Sequence, residues 1–368
     1  MWRTQGRLAE AEDALRRALA VHVEPSVEWD LGAVLLTQGR YAEGWALWRH
    51  PVEARGQAAW LWHQARAQGA RPWDGSVASA VGSTLLVVAE NGLGDTVQFT
   101  RFLPPLQAQG VQVVLCTQPG TGALMRSLHP LVRVLHVGET MPRADLLCSL
   151  WDLPMLLDVR LDDLARWGRA HCLAVAPEAG AAMARRLGQK QGLRVALAWR
   201  GTRNRLAERS IALAQIAALN LPGVQWFSLQ KELEHGDEAD AAQRMGLRHE
   251  GWSLDDAAAA MVHMDVVVSV DTVFCHLAGA LGRPAIVLLP LACEWRWGAA
   301  GSTTPWYPQA HLLRQQRAGD WAHPLAELQA LLSGQQVGQQ AGQQVGQQAG
   351  QPAEQGAAQG VGQLAART

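Results

Sequence analysis

The sequence predicts an α/β chain with two Rossmann-like lobes in succession, and three observations carry that expectation. The first is the β-branched run Val266, Val267, Val268 and Val270, followed by a helical stretch from Val273 to Leu281 and a second apolar run, Ala285–Leu289. So short a run reads as a strand buried on both faces, and strand–helix–strand is the repeating unit of a parallel sheet. The second is a similar alternation upstream: Thr84–Ala89, a glycine-rich loop, a helix, then Val111–Cys116. The third is that the alternation restarts after the less periodic residues 151–180, with strands at Leu193–Trp199 and Val224–Leu229.

Residues 1–71 read as an all-α segment with an internal echo. Gly6-Arg7-Leu8-Ala9-Glu10-Ala11 recurs as Gly39-Arg40-Tyr41-Ala42-Glu43-Gly44. Each copy opens an amphipathic helix, with Leu8, Leu15 and Leu19 on the first and Tyr41, Trp45 and Trp48 on the second. Between them Trp29, Leu31, Gly32 and Leu35 mark a helix closed by Gln38-Gly39. A helix pair repeating at about 34 residues is similar to the tetratricopeptide repeat; an unrelated helical hairpin is the alternative. Such repeats bury their faces on neighbours, so a short array is either cut short or docked on the α/β part of the chain.

The breaker cluster Arg71-Pro72-Trp73-Asp74-Gly75 closes that segment. Residues 72–178 form the expected first lobe, with a helix from Thr96 toward Gln109 bent by Pro104-Pro105, a helix at Thr121–Leu128, and strands at Val132–Val137 and Asp145–Leu150. Residues 179–333 form the second, with helices at Ala212–Leu219 and Leu254–His263 and a last helix begun at Pro324, with Leu325, Leu328 and Leu332 on one face. Residues 334–368, opening GQQVGQQAGQQVGQQAGQ after Ser333, have too little apolar bulk for a core and are expected to be a disordered tail.

Composition narrows the function. A net charge of −1 gives no electrostatic case for nucleic acid or an anionic membrane. Lysine occurs only at Lys190 and Lys231 among 32 basic residues, a bias of the coding sequence rather than a function. Cys116, Cys148, Cys172, Cys275 and Cys293 contain no C-x-x-C, which argues for a reducing compartment, no zinc site and no disulfide framework. No signal peptide and no apolar run of about 20 residues is present, so a soluble cytoplasmic protein is expected.

Three clusters that could do chemistry each lie just after a strand. In Asn91-Gly92-Leu93-Gly94-Asp95-Thr96, Gly92 and Gly94 let backbone approach a ligand, but Val97 stands where a dinucleotide fingerprint needs its third glycine. Asp95 either accepts a proton from a hydroxyl at the sheet edge or only caps its helix. Arg200, Arg203, Arg205 and Arg209 surround the loop after Trp199, as a phosphate clamp or a solvated charge run. Asp271-Thr272 opens a helix whose first amides can hold a diphosphate, or belongs to a plain capped βαβ unit. His276 sits on that helix, as catalyst or as packed residue. Gln230 and Lys231 follow another strand and can line the same cleft. Glu294-Trp295-Arg296-Trp297 and Pro305-Trp306-Tyr307-Pro308 make either a wall for a sugar or base, or a loop packed on itself. No serine-hydrolase elbow, zinc-protease helix or P-loop is found.

The run AENGLGDTVQFTRFLPPL resembles the first loop and helix of bacterial tetratricopeptide-repeat proteins fused to a glycosyltransferase domain similar to the ADP-heptose:lipopolysaccharide heptosyltransferases. SVDTVFCHLAGALGRP is similar to that family's donor motif, and FSLQKE, EWRW, PWYP and GDW fit the fused subgroup; the likeness runs from about Gly39 to Leu332. It implies a GT-B fold of two facing Rossmann-like lobes, with the acceptor on the first and a nucleotide sugar on the second. It also implies metal-independent, inverting transfer with no cofactor. In the same terms it makes Asp95 the base, Thr272 the diphosphate contact, Asp271 and His276 further polar positions of the motif, and Arg209 or Arg203 the cation facing the leaving group. Expected partners are a nucleotide sugar, a glycan or protein acceptor, and a protein bound by the repeats. Departures from the family pattern are Asn91 in the first loop, Glu294 for an aspartate, a short arginine loop, and bulky Phe274 and Cys275 after the threonine. A non-catalytic scaffold and a nucleotide-binding oxidoreductase are the competing readings.

Overall fold

The computed structural model describes residues 2–48, 56–89, 92–136, 139–167, 171–201 and 209–334. Four helices open the chain: α1 Leu8–Val21, α2 Pro25–Thr37, α3 Tyr41–Leu47 and α4 Gly56–Ala67. The first α/β unit runs β1 Arg71–Pro72, α5 Val77–Ala80, β2 Thr84–Val88, α6 Leu93–Phe99, α7 Leu103–Ala108, β3 Gln112–Thr117, α8 Gly122–Arg126, β4 Arg133–His136, β5 Leu146–Ser149 and α9 Leu153–Leu156. The second runs α10 Pro177–Leu187, β6 Leu193–Ala198, α11 Leu213–Ala217, β7 Val224–Ser228, α12 Asp237–Arg244, α13 Leu254–Met261, β8 Val266–Val270, α14 Val273–Ala280, β9 Ala285–Leu289, β10 Ala310–Arg314 and α15 Ala322–Ser333.

Two five-stranded sheets result, ordered β1-β5-β2-β3-β4 and β10-β9-β8-β6-β7. Every pairing is parallel, so all carboxyl ends of a sheet share one edge. The central strands are buried along their length, as unbroken apolar runs require: Leu85–Val88 in β2 and all five residues of β8. The expected two-lobed α/β architecture is therefore present.

The chain departs from the sequence reading in places, each with a physical reason. The helix after β2 begins at Leu93 and not at Thr96, because Gly92 takes the extended N-cap conformation; Asp95 thus sits in the first turn. The expected bend is a 3-10 turn at Thr100–Phe102, after which α7 restarts with its prolines in the first turn, where no amide donor is needed. The edge strand β1 falls in the breaker cluster and pairs with β5. β10 and α12 were not visible in the sequence: β10 is a short edge strand, and α12 buries only Ala241 and Ala242 beneath a charged surface. Val137, Arg203 and the tail from 335 lie outside the described residues.

The opening helices dock on both α/β units. α2 is buried from Leu31 to Thr37 because α1 and α3 flank it and the turn Trp295–Trp297 covers it. Trp45 donates its indole N–H to the Val159 carbonyl at 2.7 Å, and Trp48 stacks on Trp151 at 5.3 Å. One apolar cluster runs unbroken from Tyr41 and Trp45 through Phe99 and Phe102 to Trp295, Trp306 and Tyr307. The two units meet where α6 packs on α14. Among the described residues no helix is long and apolar enough to cross a membrane.

Gly279, inside α14, has no room for a side chain: a Cβ would fall within the van der Waals envelope of the Tyr307 ring. Gly180, inside α10, has ordinary space, since a Cβ there would lie 3.9 Å from its nearest neighbour, Val175 Cγ1. Helix propensity favours alanine at both sites, so packing decides the sign. Gly180→Ala is expected to stabilise by up to about 1 kcal/mol. Gly279→Ala is expected to cost about 1–3 kcal/mol through overpacking. Chemical unfolding of the two variants checks this, and equal shifts would contradict the packing of Tyr307 on α14.

Candidate active site at the seam between the lobes

α14 starts where β8 ends, and Thr272 is its N-cap in extended conformation. The Thr272 hydroxyl accepts the Phe274 N–H at 3.2 Å and lies 2.9 Å from Ser269 Oγ. This corrects one expectation: the Phe274 amide, counted as open to an anion, is already held by the cap. Asp271 is buried beside it, 3.6 Å from Arg209 Nη1 and 3.8 Å from His276 Nε2. Thr272, Asp271, Arg209 and His276 are thus together, as the sequence suggested.

His276 is buried, with Nδ1 2.9 Å from the Tyr307 hydroxyl and its ring stacked on Trp297 at 5.4 Å. Burial, reinforced by Arg296, Arg101 and Arg209, holds it well below the usual histidine range. It is a neutral imidazole packed in the seam. Gly94 brings α6 against it: a Cβ at Gly94 would lie 2.9 Å from His276 Cδ2.

Asp95, in the first turn of α6, accepts a hydrogen bond from Arg296 Nη2 at 2.7 Å. It also accepts the backbone N–H of Gly92, the return half of a capping box. Capping and a seam contact are therefore both true of Asp95. Its side chain is 20% exposed and that of Arg296 is 8%. Burial raises the Asp95 carboxyl above its ordinary value, with Asp271 adding to the rise and Arg296 opposing it. Glu294 is likewise raised by burial, and Arg3 lies 3.8 Å from it. Against burial, Asp95, Glu294 and Asp271 keep Arg296 firmly charged. Acids from both sheet edges thus share a cluster of arginines.

Sequence reasoning missed Arg296, Arg101, Tyr307 and Gln98 as members of the seam. Arg101 crosses it from the first lobe, donating to the Trp306 carbonyl at 3.0 Å. Gln98, one turn beyond Asp95, has both amide atoms buried without a partner among the described residues, as do Arg296 Nε and the indole N–H groups of Trp295 and Trp297. An unsatisfied buried polar group costs about 1–3 kcal/mol. EWRW and PWYP were the available signal. Their aromatic rings do not form an open wall: Trp295, Trp297, Trp306 and Tyr307 are fully buried.

Gln230 and Lys231 lie at the same carboxyl edge, on the far side of β6. Gln230 Oε1 accepts the Arg200 N–H at 3.2 Å, and Lys231 is exposed. Arg200 pairs with Glu234 and Glu238. Of the arginine loop, then, Arg209 alone among the described residues reaches Asp271.

Asp271, Cys275 and His276 place one ligand atom each within 4.8 Å of one another, close enough for a metal ion. The Cys275 thiol donates to the Thr272 carbonyl at 2.8 Å and is pushed up by burial and Asp271.

Residues 251–319 match the model for glycosyltransferase family 9 (heptosyltransferase). Protein FlbA of Caulobacter vibrioides is 27% identical over 353 residues, covering 86% of this chain and 56% of that protein. The chain thus spans about half the length of that curated relative. Among solved structures, a glycosyl transferase family 9 protein of Veillonella parvula aligns with a TM-score of 0.49 at 13% identity, covering 64% of this chain and 87% of that one. The ADP-heptose lps heptosyltransferase II of E. coli aligns at 0.47 and 15%, covering 68% and 98%. The iron-containing dodecameric glycosyltransferase TibC of enterotoxigenic E. coli aligns at 0.45 and 10%, covering 72% and 77%.

His276 gives a pH signature. Its folded-state value lies well below 6.5, so below that pH the unfolded chain binds a proton the native chain does not. Stability should therefore be lost as pH falls below about 6.5, at up to about 1.4 kcal/mol per pH unit for one proton. His276→Asn is expected to remove this component, seen as a flatter difference curve against wild type in denaturant unfolding from pH 7 to 5. Parallel curves would mean that His276 titrates normally.

Proposed function

We propose that this chain transfers a sugar from a nucleotide-diphosphate sugar to an acceptor hydroxyl. The observation that carries the reading is the opposition of Asp95, on the first sheet edge, to the Thr272 helix start and Arg209 on the second, of which the Thr272 helix start lies in the segment 251–319 that matches glycosyltransferase family 9. In this reading Asp95 takes the proton of the acceptor hydroxyl as its oxygen attacks the anomeric carbon. The bond from that carbon to the diphosphate oxygen breaks, and the diphosphate leaves with the bonding pair. Attack from the face opposite the leaving group inverts the anomeric centre. The departing charge meets the positive end of α14 at Thr272 and the guanidinium of Arg209, with Arg203 as a second candidate, so no metal is required. Gly92 and Gly94 would let the acceptor approach the backbone. Gln230 and Lys231, with Asp271 and His276, would frame the donor.

The raised Asp95 carboxyl suits a base, since burial makes it hold a proton more readily than a solvated aspartate. A heptose nucleotide is the first donor to test, given the family description. The protein is expected to act without a membrane span and without nucleic acid, in the cytoplasm. The closed seam favours a second reading: with Asp95 held by Arg296 and the Phe274 amide held by Thr272, the lobes could serve as a non-catalytic scaffold for partners of the opening helices.

The test is turnover of ADP-, UDP- and GDP-sugars, including ADP-heptose, by wild type and Asp95→Asn, with calorimetry on both. The expected outcome is unchanged donor binding and a loss of about 10²–10⁴-fold in rate for the variant. Equal rates would remove Asp95 as base, and binding of no nucleotide sugar would favour the scaffold.

A further inference from the structure

The tetratricopeptide-like helices suggest a partner-binding module, but their aromatic face is not available to a partner. Tyr41 and Trp45 of α3, with Trp48 just beyond, close edge-on over Trp295, at 6.0, 5.3 and 5.7 Å between ring centroids. The Trp306 indole N–H donates to the Tyr41 hydroxyl at 2.8 Å, and Trp306 in turn packs on Trp295 at 5.5 Å. The same two tryptophans fix the segment to the first lobe, Trp45 donating to the Val159 carbonyl and Trp48 stacking on Trp151. The helices therefore span both lobes and grip the single turn Trp295–Trp297.

That turn carries Arg296. Its guanidinium lies 5.3 Å from the Trp295 ring centroid, and the same group holds Asp95. A one-turn 3-10 segment has little stiffness of its own, so the direction of Arg296 follows the orientation of its flanking rings. On one side Trp297 rests on His276; on the other Trp295 rests on the opening helices.

We propose that the opening helical segment is part of the active centre, with Tyr41 and Trp45 acting as positioning residues that aim Arg296 at Asp95 and so set the ionisation of the base. The inference concerns the site described above and takes Asp95 as base from the proposed function, but its physical content does not need a substrate. Asp95 is faced by Arg296 and Glu294 from the turn, by Asp271 from the end of β8, and by the Gly92 amide from its own helix. His276 on α14 is neutral, and Arg101 and Arg209 complete the charges around it. Only Arg296 touches the carboxylate with opposite charge among the described residues, so a swing of that side chain changes the Asp95 midpoint more than any other small movement here.

The experiment is a carboxyl-13C titration of Asp95 in the full chain, with aspartate labelled and Asp95→Asn used to assign the resonance. Wild type, Tyr41→Phe and Trp45→Phe are compared, with melting temperature measured for each. Removing the Tyr41 hydroxyl leaves the Trp306 N–H unpaired, and Trp45→Phe loosens Trp295 and frees Val159. The expected result is an upward shift of the Asp95 midpoint by about half a pH unit or more in both variants, as the guanidinium loses its aim. ADP-heptose hydrolysis is followed in parallel, and its acid limb should move by the same amount with the donor KM unchanged. Lower melting temperatures with an unmoved Asp95 midpoint would overturn the proposal and leave the helices a purely structural prop. A moved midpoint with no turnover of any nucleotide sugar would uphold the positioning and defeat the proposed function instead.

Discussion

A guanidinium and a carboxylate meet across the seam, and the arrangement around them reflects the cost of putting them there. Arg296 is nearly sealed from solvent and Asp95 is largely so. An isolated charge at that depth is costly, whereas a paired one is tolerable only if the geometry is held. The holding comes from three directions. Gly94 lets α6 approach His276 on α14, so the two sheet edges stand close enough for the pair to form. Glu294 and Asp271 share the positive charge of Arg296. The aromatic clamp from the opening helices fixes the turn on which Arg296 rides.

The same crowding sets the chemistry of the neighbours. Burial, reinforced by the arginines around it, holds His276 well below the usual histidine range, and it contributes a ring and a hydrogen-bond contact to Tyr307. Burial lifts Asp95 and Glu294 while Arg296 opposes the rise. The amide of Gln98, the indole N–H groups of Trp295 and Trp297, and Arg296 Nε have no partner among the described residues.

The lobes were legible in the sequence because buried parallel strands are continuous apolar runs: Thr84–Ala89 and Val266–Val270 identify themselves. The Thr272 helix start and the closing Gly282 were also local signals, although the Phe274 amide expected to be open is held by the Thr272 cap. Arg296 was hidden because its importance is a long-range fact. Nothing near residue 296 announces a carboxylate at residue 95, and the surrounding tryptophans read equally well as a ligand wall. The docked alternative for the opening helices was visible as a possibility, since so short an array cannot bury its own faces. Its partner, the turn Trp295–Trp297, was not. β10 and α12 escaped notice because an edge strand and a charged helix with two buried alanines carry almost no periodic apolar signal.

The dependence of the seam on one ion pair is open to a direct measurement: a double-mutant cycle in unfolding free energy using Asp95→Asn, Arg296→Met and the double variant. If each group is tolerable only because of the other, either single change should destabilise strongly. The double variant should then recover part of the loss, with a coupling energy of about 1–3 kcal/mol. Single effects that add to within about 0.5 kcal/mol would contradict the account, since independent residues behave in that way.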